Sequence, residues 1–127
     1  MSATLRGANA RFGNLLTAMA TPLHPDGSID FAGAQTLAKW LMSQGNDALV
    51  INGTTGESPT TSDDEKLDLL DCIIEAIGAD KVVAGAGGND TRHIAKLAAA
   101  SAAKGVAGIL SVAPYYNKPC QEGIYRH

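Results

Sequence analysis

The sequence Asn52-Gly53-Thr54-Thr55-Gly56-Glu57-Ser58 joins two segments with different hydrophobic periods. The apolar run Ala48-Leu49-Val50-Ile51 before it is typical of a buried strand, and an amphipathic helix begins near Ser62 after it. The two glycines let the backbone turn tightly with its N–H groups exposed, and each threonine hydroxyl can donate and accept a hydrogen bond. This composition suits a small carboxylate or carbonyl, although ordinary turn chemistry explains the same residues.

The chain alternates short apolar runs with helical patterns. We predict strands at residues 14–19, 48–51, 82–86 and 108–112, and helices from Asp30 to Gly45, from Ser62 to Gly78 and from Asp90 or Thr91 to Gly105. The order βαβαβαβ with short connections predicts a parallel sheet covered by helices. Because each strand is a continuous apolar run, we expect the strands to be buried on both faces.

The helix that follows the turn has the clearest signals. Ser62 and Glu65 form a capping box at its start, and Gly78 ends it. Its apolar residues at helical spacing are Leu67, Leu70, Ile73, Ile74 and Ile77. We predict that these five residues form its inner face.

Two architectures share this strand and helix order: an open doubly wound sheet and a (β/α)8 barrel. A dinucleotide-binding sheet has a G-x-G-x-x-G turn after its first strand, and the sequence there is Met19-Ala20-Thr21-Pro22. The polar pairs Thr54-Thr55 and Tyr115-Tyr116 follow strands two and four directly, where barrel enzymes build their active sites. The sequence therefore favours a barrel.

Composition excludes several classes of function. The 127 residues are 45% hydrophobic with a net charge of −3, which fits one ordinary domain and argues against nucleic acid as a partner. No run of about 18 apolar residues is present for a membrane span, and residues 1–11 lack the apolar core of a signal peptide, so we predict a cytoplasmic protein. The three histidines have no ligand spacing, and we expect neither a metal nor a cofactor.

Three segments resemble the dihydrodipicolinate synthase family: residues 14–22, residues 53–58 and Ala113-Pro114-Tyr115-Tyr116-Asn117-Lys118-Pro119. This family belongs to the pyruvate-dependent class I aldolases, which are built on (β/α)8 barrels. N-acetylneuraminate lyase and keto-sugar-acid aldolases carry similar turns, with Ser or Thr at the second position of Gly-Ser/Thr-Thr-Gly-Glu, and remain alternatives. The Pro-Tyr-Tyr-Asn segment favours the synthase.

The resemblance implies a chemistry for the matching positions. Pyruvate would form a Schiff base with a lysine and condense with L-aspartate 4-semialdehyde on the diaminopimelate route to lysine. The turn N–H groups and the Thr55 hydroxyl would hold the pyruvate carboxylate, and Thr54 would pass protons between two tyrosines. One of these tyrosines matches Tyr116, which in the family reaches into a neighbouring subunit's active site, and Tyr115 lies at the same interface. The family therefore implies a homo-oligomer, either a dimer or a tetramer.

The resemblance extends only to the N-terminal part of one barrel domain. A complete barrel needs about 250 residues, so we expect residues 1–127 to supply the first half, β1-α1-β2-α2-β3-α3-β4, in a truncated form. In the family the Schiff-base lysine, the second tyrosine and a substrate-binding arginine follow strands five and six, beyond His127. We expect solvated surface positions for Lys39, Lys66, Lys81, Lys96, Lys104 and Lys118.

Two consequences are expected for the chain by itself. Without the family's lysine it should lack synthase activity, and a non-catalytic half-barrel module is a further alternative. Unpaired sheet edges and an exposed apolar interior should also promote self-association.

The resemblance also bears on regulation. Members of the family that are inhibited by lysine bind it with a histidine and a glutamate on the second and third helices, and the corresponding positions look like Asp63, Lys66 and His93. Asn89 and Tyr115 match. Because the cationic Lys66 would repel a cationic ligand, we predict that the whole enzyme is insensitive to lysine.

Overall fold

The computed structural model describes residues 12–127, so the segment 1–11, for which we predict no signal peptide, lies outside the described residues. The strands are β1 (Leu16–Ala18), β2 (Ala48–Ile51), β3 (Val82–Gly85) and β4 (Gly108–Leu110), and the helices are α1 (Phe31–Ser43), α2 (Asp63–Ile77), α3 (Thr91–Ala103) and α4 (Gln121–Arg126). Short 3-10 turns lie at Thr54–Gly56, Ser58–Thr60 and Ala79–Lys81. Within residues 12–127, no helix combines the length and the hydrophobicity that a membrane span requires.

The order of the strands decides between the two candidate architectures. All four strands are parallel and lie in the order β1-β2-β3-β4. Each crossover therefore steps in the same direction across the sheet, and right-handed crossovers of this kind place the helices on one face. A doubly wound sheet instead reverses its strand order at a switch point. The structure confirms the arrangement expected for half of a (β/α)8 barrel.

Polar side chains fix the starts of the three longer helices, as the sequence predicts. Asp30 accepts a hydrogen bond from the backbone N–H of Gly33, and Asp90 caps α3 through the N–H groups of Arg92 and His93. The capping box of Ser62 and Glu65 is complete, with both reciprocal bonds formed. These bonds pair backbone donors that a helix leaves unsatisfied at its start.

The hydrophobic core lies between the sheet and the first two helices. Its fully buried residues include Leu49, Ile51, Leu69, Leu70, Ile73 and Val82. Burial of each Leu, Ile or Val side chain stabilises the fold by roughly 1.5–3 kcal/mol. The packing of α1 depends on Ala34 and Ala38, which are 0% exposed, and small residues at these positions let the helix approach the core closely. Trp40 on the same helix is instead 57% exposed.

The inner face of α2 differs from the sequence prediction. Leu70 and Ile73 are buried as expected, whereas Leu67, Ile74 and Ile77 are only partly buried against the core. Leu69 and Lys66, which are not in the predicted face, are buried as well. Residues 66, 69, 70 and 73 lie on one side of a helix. The side of α2 that packs against the core is therefore adjacent to the side that the sequence predicts.

The prediction that all four strands are buried on both faces is wrong for the edge strands. Every residue of β2 and β3 is buried, but in β4 Ile109 is 36% and Leu110 is 52% exposed. β1 is also partly exposed. Each edge strand has a paired neighbour on only one side within residues 12–127, so its apolar side chains are covered on that side alone.

Candidate functional site

The Asn52–Ser58 segment forms a tight turn at the carboxyl end of β2. Asn52 adopts a left-handed conformation with φ of 62°, and its buried side chain donates a hydrogen bond to the Lys66 carbonyl at 3.0 Å. Asparagine tolerates this conformation better than most residues. The bond connects the end of β2 to α2 and sets the direction in which the chain leaves the sheet.

The two threonines lie in the 3-10 turn Thr54–Gly56. The carbonyl of Gly53 accepts hydrogen bonds from the N–H groups of Gly56 and Ser58, at 3.0 and 3.3 Å. Thr54 and Thr55 are exposed, and none of the described residues accepts a hydrogen bond from their amides or hydroxyls. The turn therefore presents several unpaired donors at one end of the sheet, which is the arrangement that binds a carboxylate.

A contact from the end of β1 supports the same turn. The hydroxyl of Thr21 donates a hydrogen bond to the Gly56 carbonyl at 2.7 Å, and both residues are buried. A Cβ atom on Gly56 would lie 3.0 Å from the Thr21 hydroxyl and 3.1 Å from the Met19 carbonyl. Glycine at this position thus permits the close approach of the two chain segments. Sequence reasoning missed this contact, because it joins residues 35 positions apart.

On its other side the turn is closed by β3. A Cβ atom on Gly85 would lie 2.2 Å from the carbonyl oxygen of Asn52 and 2.9 Å from the amide nitrogen of Gly53. Because real Cβ atoms do not approach backbone this closely, only glycine fits at the end of β3. The turn is therefore held between the ends of β1 and β3.

A cavity of about 550 Å³ opens beside the turn. It lies between the turn, the first residues of α2 and the loop that leads into α3, and its polar lining residues include Thr54, Ser58, Asp63, Lys66, Asn89 and His93. Tyr115 also lines it, and the backbone N–H of Tyr115 donates to the Asn89 side chain at 3.0 Å. The cavity thus connects the turn after β2 with the loop after β4.

Lys66 is not a solvated surface residue, and this prediction from the sequence is wrong. It is 7% exposed, and its ammonium donates to the Thr61 carbonyl and lies 3.9 Å from a carboxylate oxygen of Asp63. Burial lowers the pKa of this ammonium, and the carboxylates of Asp63 and Glu65 act in the opposite direction. The position of Lys66 on the inner stripe of α2 accounts for its burial.

Asp63 also joins α2 to α3. One of its carboxylate oxygens lies 2.6 Å from His93 Nε2, while the other faces Lys66. Asp63, Lys66 and His93, which the sequence groups only through the family resemblance, therefore lie together at the cavity wall.

The structure brings only some of the predicted site residues together. Thr54 and Tyr115 line the same cavity, whereas Thr55 and Tyr116 are not among its lining residues. Tyr116 is 85% exposed and Tyr115 is 57% exposed. Within residues 12–127, Tyr116 and Thr54 therefore share an edge of the sheet but no common enclosed site.

Comparison with known proteins identifies the family. The dihydrodipicolinate synthetase family pattern matches residues 11–127. The chain is 57% identical over 117 residues to 4-hydroxy-tetrahydrodipicolinate synthase 2 of Streptomyces coelicolor, covering 91% of this chain and 39% of that protein. It is 56% identical over 121 residues to the synthase of Mycolicibacterium gilvum, covering 94% and 40%.

A solved structure supports the same assignment. The crystal structure of a dihydrodipicolinate synthase from Bacillus anthracis superimposes with a TM-score of 0.87 at 43% identity, over 91% of this chain and 40% of that one. The chain therefore spans about two fifths of the length of the relatives that it matches. By its sequence and its half-barrel fold, the chain belongs to the dihydrodipicolinate synthetase family.

Proposed function

We propose that the protein is a 4-hydroxy-tetrahydrodipicolinate synthase, which condenses pyruvate with L-aspartate 4-semialdehyde on the diaminopimelate route to lysine. The observation that carries this proposal is the group of unpaired N–H and hydroxyl donors of Thr54 and Thr55 at the carboxyl end of β2. In a parallel barrel this end of the strands holds the active site. The identity of 57% to a named synthase supports the choice of reaction.

In this proposal Thr55 binds substrate. Its hydroxyl and the neighbouring amides donate hydrogen bonds to the carboxylate of pyruvate, and charge-assisted bonds of this kind are stronger than neutral ones. Held by its carboxylate, pyruvate presents its carbonyl carbon to a lysine amine, and loss of water then gives the Schiff base. The contacts from Thr21 and Gly85 keep the donors in place before pyruvate arrives.

Thr54 and Tyr116 are the proposed catalytic residues. The Thr54 hydroxyl can donate and accept, so it can pass a proton between two phenol groups during Schiff-base formation and cyclisation. Tyr116 would supply one of these phenols to the site of a neighbouring subunit. Its 85% exposure favours such a contact outside the described residues, and we propose a homo-oligomer, either a dimer or a tetramer, in the cytoplasm.

The Schiff-base lysine is proposed to lie in a part of the barrel that residues 1–127 do not supply. The single domain would continue after α4, since the chain matches about 40% of its relatives' length. Lys66, which lines the cavity, is on a helix, and its ammonium donates to the Thr61 carbonyl and lies 3.9 Å from the Asp63 carboxylate. We therefore expect the 127-residue chain alone to be inactive.

The test is to trap the Schiff base. The complete polypeptide from its native source and the 127-residue chain are each incubated with pyruvate and borohydride, and their intact masses are measured. We expect one reduced pyruvate on the complete polypeptide and none on the 127-residue chain. An adduct on the shorter chain would refute the position proposed for the lysine, and no adduct on either would refute the synthase.

A second measurement separates the synthase from its sister aldolases. The complete polypeptide is assayed for condensation of pyruvate with L-aspartate 4-semialdehyde and for cleavage of N-acetylneuraminate and keto-sugar acids. Turnover of the semialdehyde alone is expected. Thr55→Val should raise the KM for pyruvate by about 10- to 100-fold, since one charge-assisted hydrogen bond contributes roughly 1.5–3 kcal/mol and each 1.4 kcal/mol is a factor of about ten.

A further inference from the structure

We propose that Thr21 is a positioning residue, whose hydroxyl fixes the Thr54–Gly56 turn in the conformation that binds the substrate carboxylate. The inference rests on the proposed function, because it assigns the turn a ligand. Thr21 itself is 7% exposed, and its hydroxyl donates a hydrogen bond to the Gly56 carbonyl. We therefore propose that it acts through Gly56 and does not contact the substrate.

The hydrogen bond from the Thr21 hydroxyl is a long-range contact to the backbone of the turn. Within residues 12–127 it is the one side-chain hydrogen bond made to the backbone of Thr54–Gly56. The other bonds of this backbone are local, from Gly56 to Gly53 and from Glu57 to Thr54. Such short-range bonds shape the turn, and among the hydrogen bonds of this backbone it is the one from the Thr21 hydroxyl that connects the turn to the end of β1.

Thr21 is well anchored for this role. The N–H of Met19, two residues earlier, donates to the Val50 carbonyl in β2 at 3.0 Å, and the Pro22 carbonyl accepts from the N–H of Asp30 at 2.9 Å. Proline at position 22 also restricts Thr21 to extended backbone conformations. The side chain of Thr21 is therefore directed by contacts to both β2 and the start of α1.

The proposed positioning role of Thr21 requires its hydroxyl and not only the volume of its side chain. Gly56 is buried, and removal of its donor would leave a buried carbonyl unpaired, which costs about 1–3 kcal/mol. The turn can avoid this cost by moving toward water. Such a movement displaces the amides of Thr54 and Thr55 from a bound carboxylate.

The displacement has a kinetic signature. Weaker contacts to a carboxylate that does not react change substrate and transition-state binding equally, which raises KM and leaves kcat unchanged. A loss of general stability would instead lower the amount of active enzyme and hence the apparent kcat.

The experiment compares three variants of the complete polypeptide. Thr21→Val keeps the shape but removes the donor, and Thr21→Ser keeps the donor. Thr36→Val is the matched control, because the Thr36 hydroxyl also donates to a backbone carbonyl, that of Ala32 at 2.9 Å, on the exposed side of α1. We expect Thr21→Val to raise the KM for pyruvate about tenfold with kcat within about twofold, and the other two variants to match the wild type.

Two results would overturn the inference. One is a Thr21→Val enzyme with the wild-type KM, and the other is a Thr21→Ser enzyme as impaired as Thr21→Val, which would indicate packing of the methyl group. If Thr21→Val fails to fold, Thr21→Ala is compared with Thr21→Ser, since these differ only by the hydroxyl, and the same rise in KM is expected for Thr21→Ala alone.

Amide hydrogen exchange tests the positioning role of Thr21 in the absence of substrate, and hence independently of the proposed function. In wild-type protein without substrate, the Gly56 and Glu57 amides are bonded within the turn. We expect Thr21→Val, or Thr21→Ala, to accelerate their exchange about tenfold relative to Thr36→Val. If the wild type fails to bind pyruvate but this acceleration occurs, the proposed function is wrong and the positioning role of Thr21 stands; unchanged exchange would refute that role.

Discussion

The turn after β2 and the loop after β4 lie at the same end of the sheet but are held in different ways. In the turn, Asn52 and Gly56 are buried and bonded to α2 and to the end of β1. In the loop, Tyr116 is 85% exposed, and the described anchor is the bond from Tyr115 to Asn89. Residues 12–127 thus supply the contacts that hold the turn. For the loop, we expect further contacts from parts of the protein outside these residues.

The difference follows from the positions of the two strands. β2 is central, with β1 and β3 on its two sides, so groups at its end meet neighbours in both directions. β4 is an edge strand in residues 12–127 and has β3 on one side only. Changes at the buried residues that support the turn should therefore alter stability, while changes at the exposed residues of the loop should alter activity at constant stability.

The largest expected effect tests the packing of the turn against β3. Gly85→Ala places a Cβ atom 2.2 Å from the Asn52 carbonyl oxygen, and the backbone must separate to relieve this overlap. We expect the free energy of unfolding, measured with urea, to fall by about 3 kcal/mol. The control is Gly53→Ala, whose Cβ would meet only Val50 Cγ1 at 3.7 Å. Equal losses for the two variants would contradict the close approach of β2 and β3.

The next prediction concerns the loop. Tyr116→Phe removes a proposed proton-transfer group, so kcat of the complete enzyme should fall by about 100-fold, the scale of general acid–base catalysis. The free energy of unfolding should change by less than about 0.5 kcal/mol, as is usual for exposed positions. Tyr125→Phe, at a residue that is 88% exposed, is the matched control and should keep full activity. A Tyr116→Phe enzyme with wild-type kcat would remove Tyr116 from the mechanism.

A smaller effect is expected where the turn meets α2. Asn52→Ala removes the bond to the Lys66 carbonyl and places a less tolerant residue at φ of 62°, so unfolding should become easier by about 2 kcal/mol. Asn52→Gly removes the bond without the backbone strain and should cost about 1 kcal/mol in thermal or urea unfolding. If Asn52→Gly is as stable as the wild type, the bond contributes nothing to the turn.

The pH dependence of Lys66 gives a further test. Burial lowers the pKa of Lys66, so the folded protein releases this proton at a lower pH than the unfolded chain, for which 10.5 is the ordinary value. Between these two pKa values the unfolded chain binds more protons, and stability rises with pH. Relative to Lys66→Met, the wild-type free energy of unfolding should therefore increase on approach to pH 10.5, whereas below the lowered pKa the difference should stay constant.

At neutral pH the Lys66→Met variant should lie within about 1 kcal/mol of the wild type, because an apolar side chain can replace a buried charge at little net cost. Lys39→Met, at an exposed position of α1, is the control and should show no alkaline trend relative to the wild type. A Lys66→Met difference that is independent of pH up to 10.5 would contradict the burial of the ammonium.

The last prediction is that added lysine does not change the rate of the complete enzyme. Lys66 lines the cavity beside the turn, and its positive charge would repel a second cationic group there. We therefore expect millimolar lysine to leave the rate of the complete enzyme unchanged in a steady-state assay. Clear inhibition would show that Asp63 and other polar groups of the cavity outweigh this repulsion.

Local signals explain which parts of the fold were predictable. The caps at Asp30 and Ser62 depend on residues within one helical turn, and the structure confirms both. The bounds of β2 are also as predicted, since it is a short apolar run next to a turn. β1 is shorter than predicted, at Leu16–Ala18, because its length depends on the residues of β2 with which it pairs.

The geometry of the candidate site is predictable in the same partial way. The sequence predicts that Thr54 and Thr55 follow a buried strand, and they do, but it does not reveal the hydrogen bond from Thr21, 35 residues away. The sequence predicts a solvated position for Lys66, because this residue does not lie at the tip of a predicted inner strand and lysine is mostly exposed in proteins. Its burial depends on which stripe of α2 packs inward, and periodicity leaves two neighbouring stripes open.

The sequence by itself determined the strand and helix order, the helix caps and the positions of the polar residues that follow the strands, because these properties depend on neighbours along the chain. Only the tertiary structure decided the sequential strand order, the burial of Lys66, and the contacts of Thr21 and Gly85 with the turn. These features join segments that are distant in sequence, and their geometry is set by how closely the backbone of one strand can approach the next.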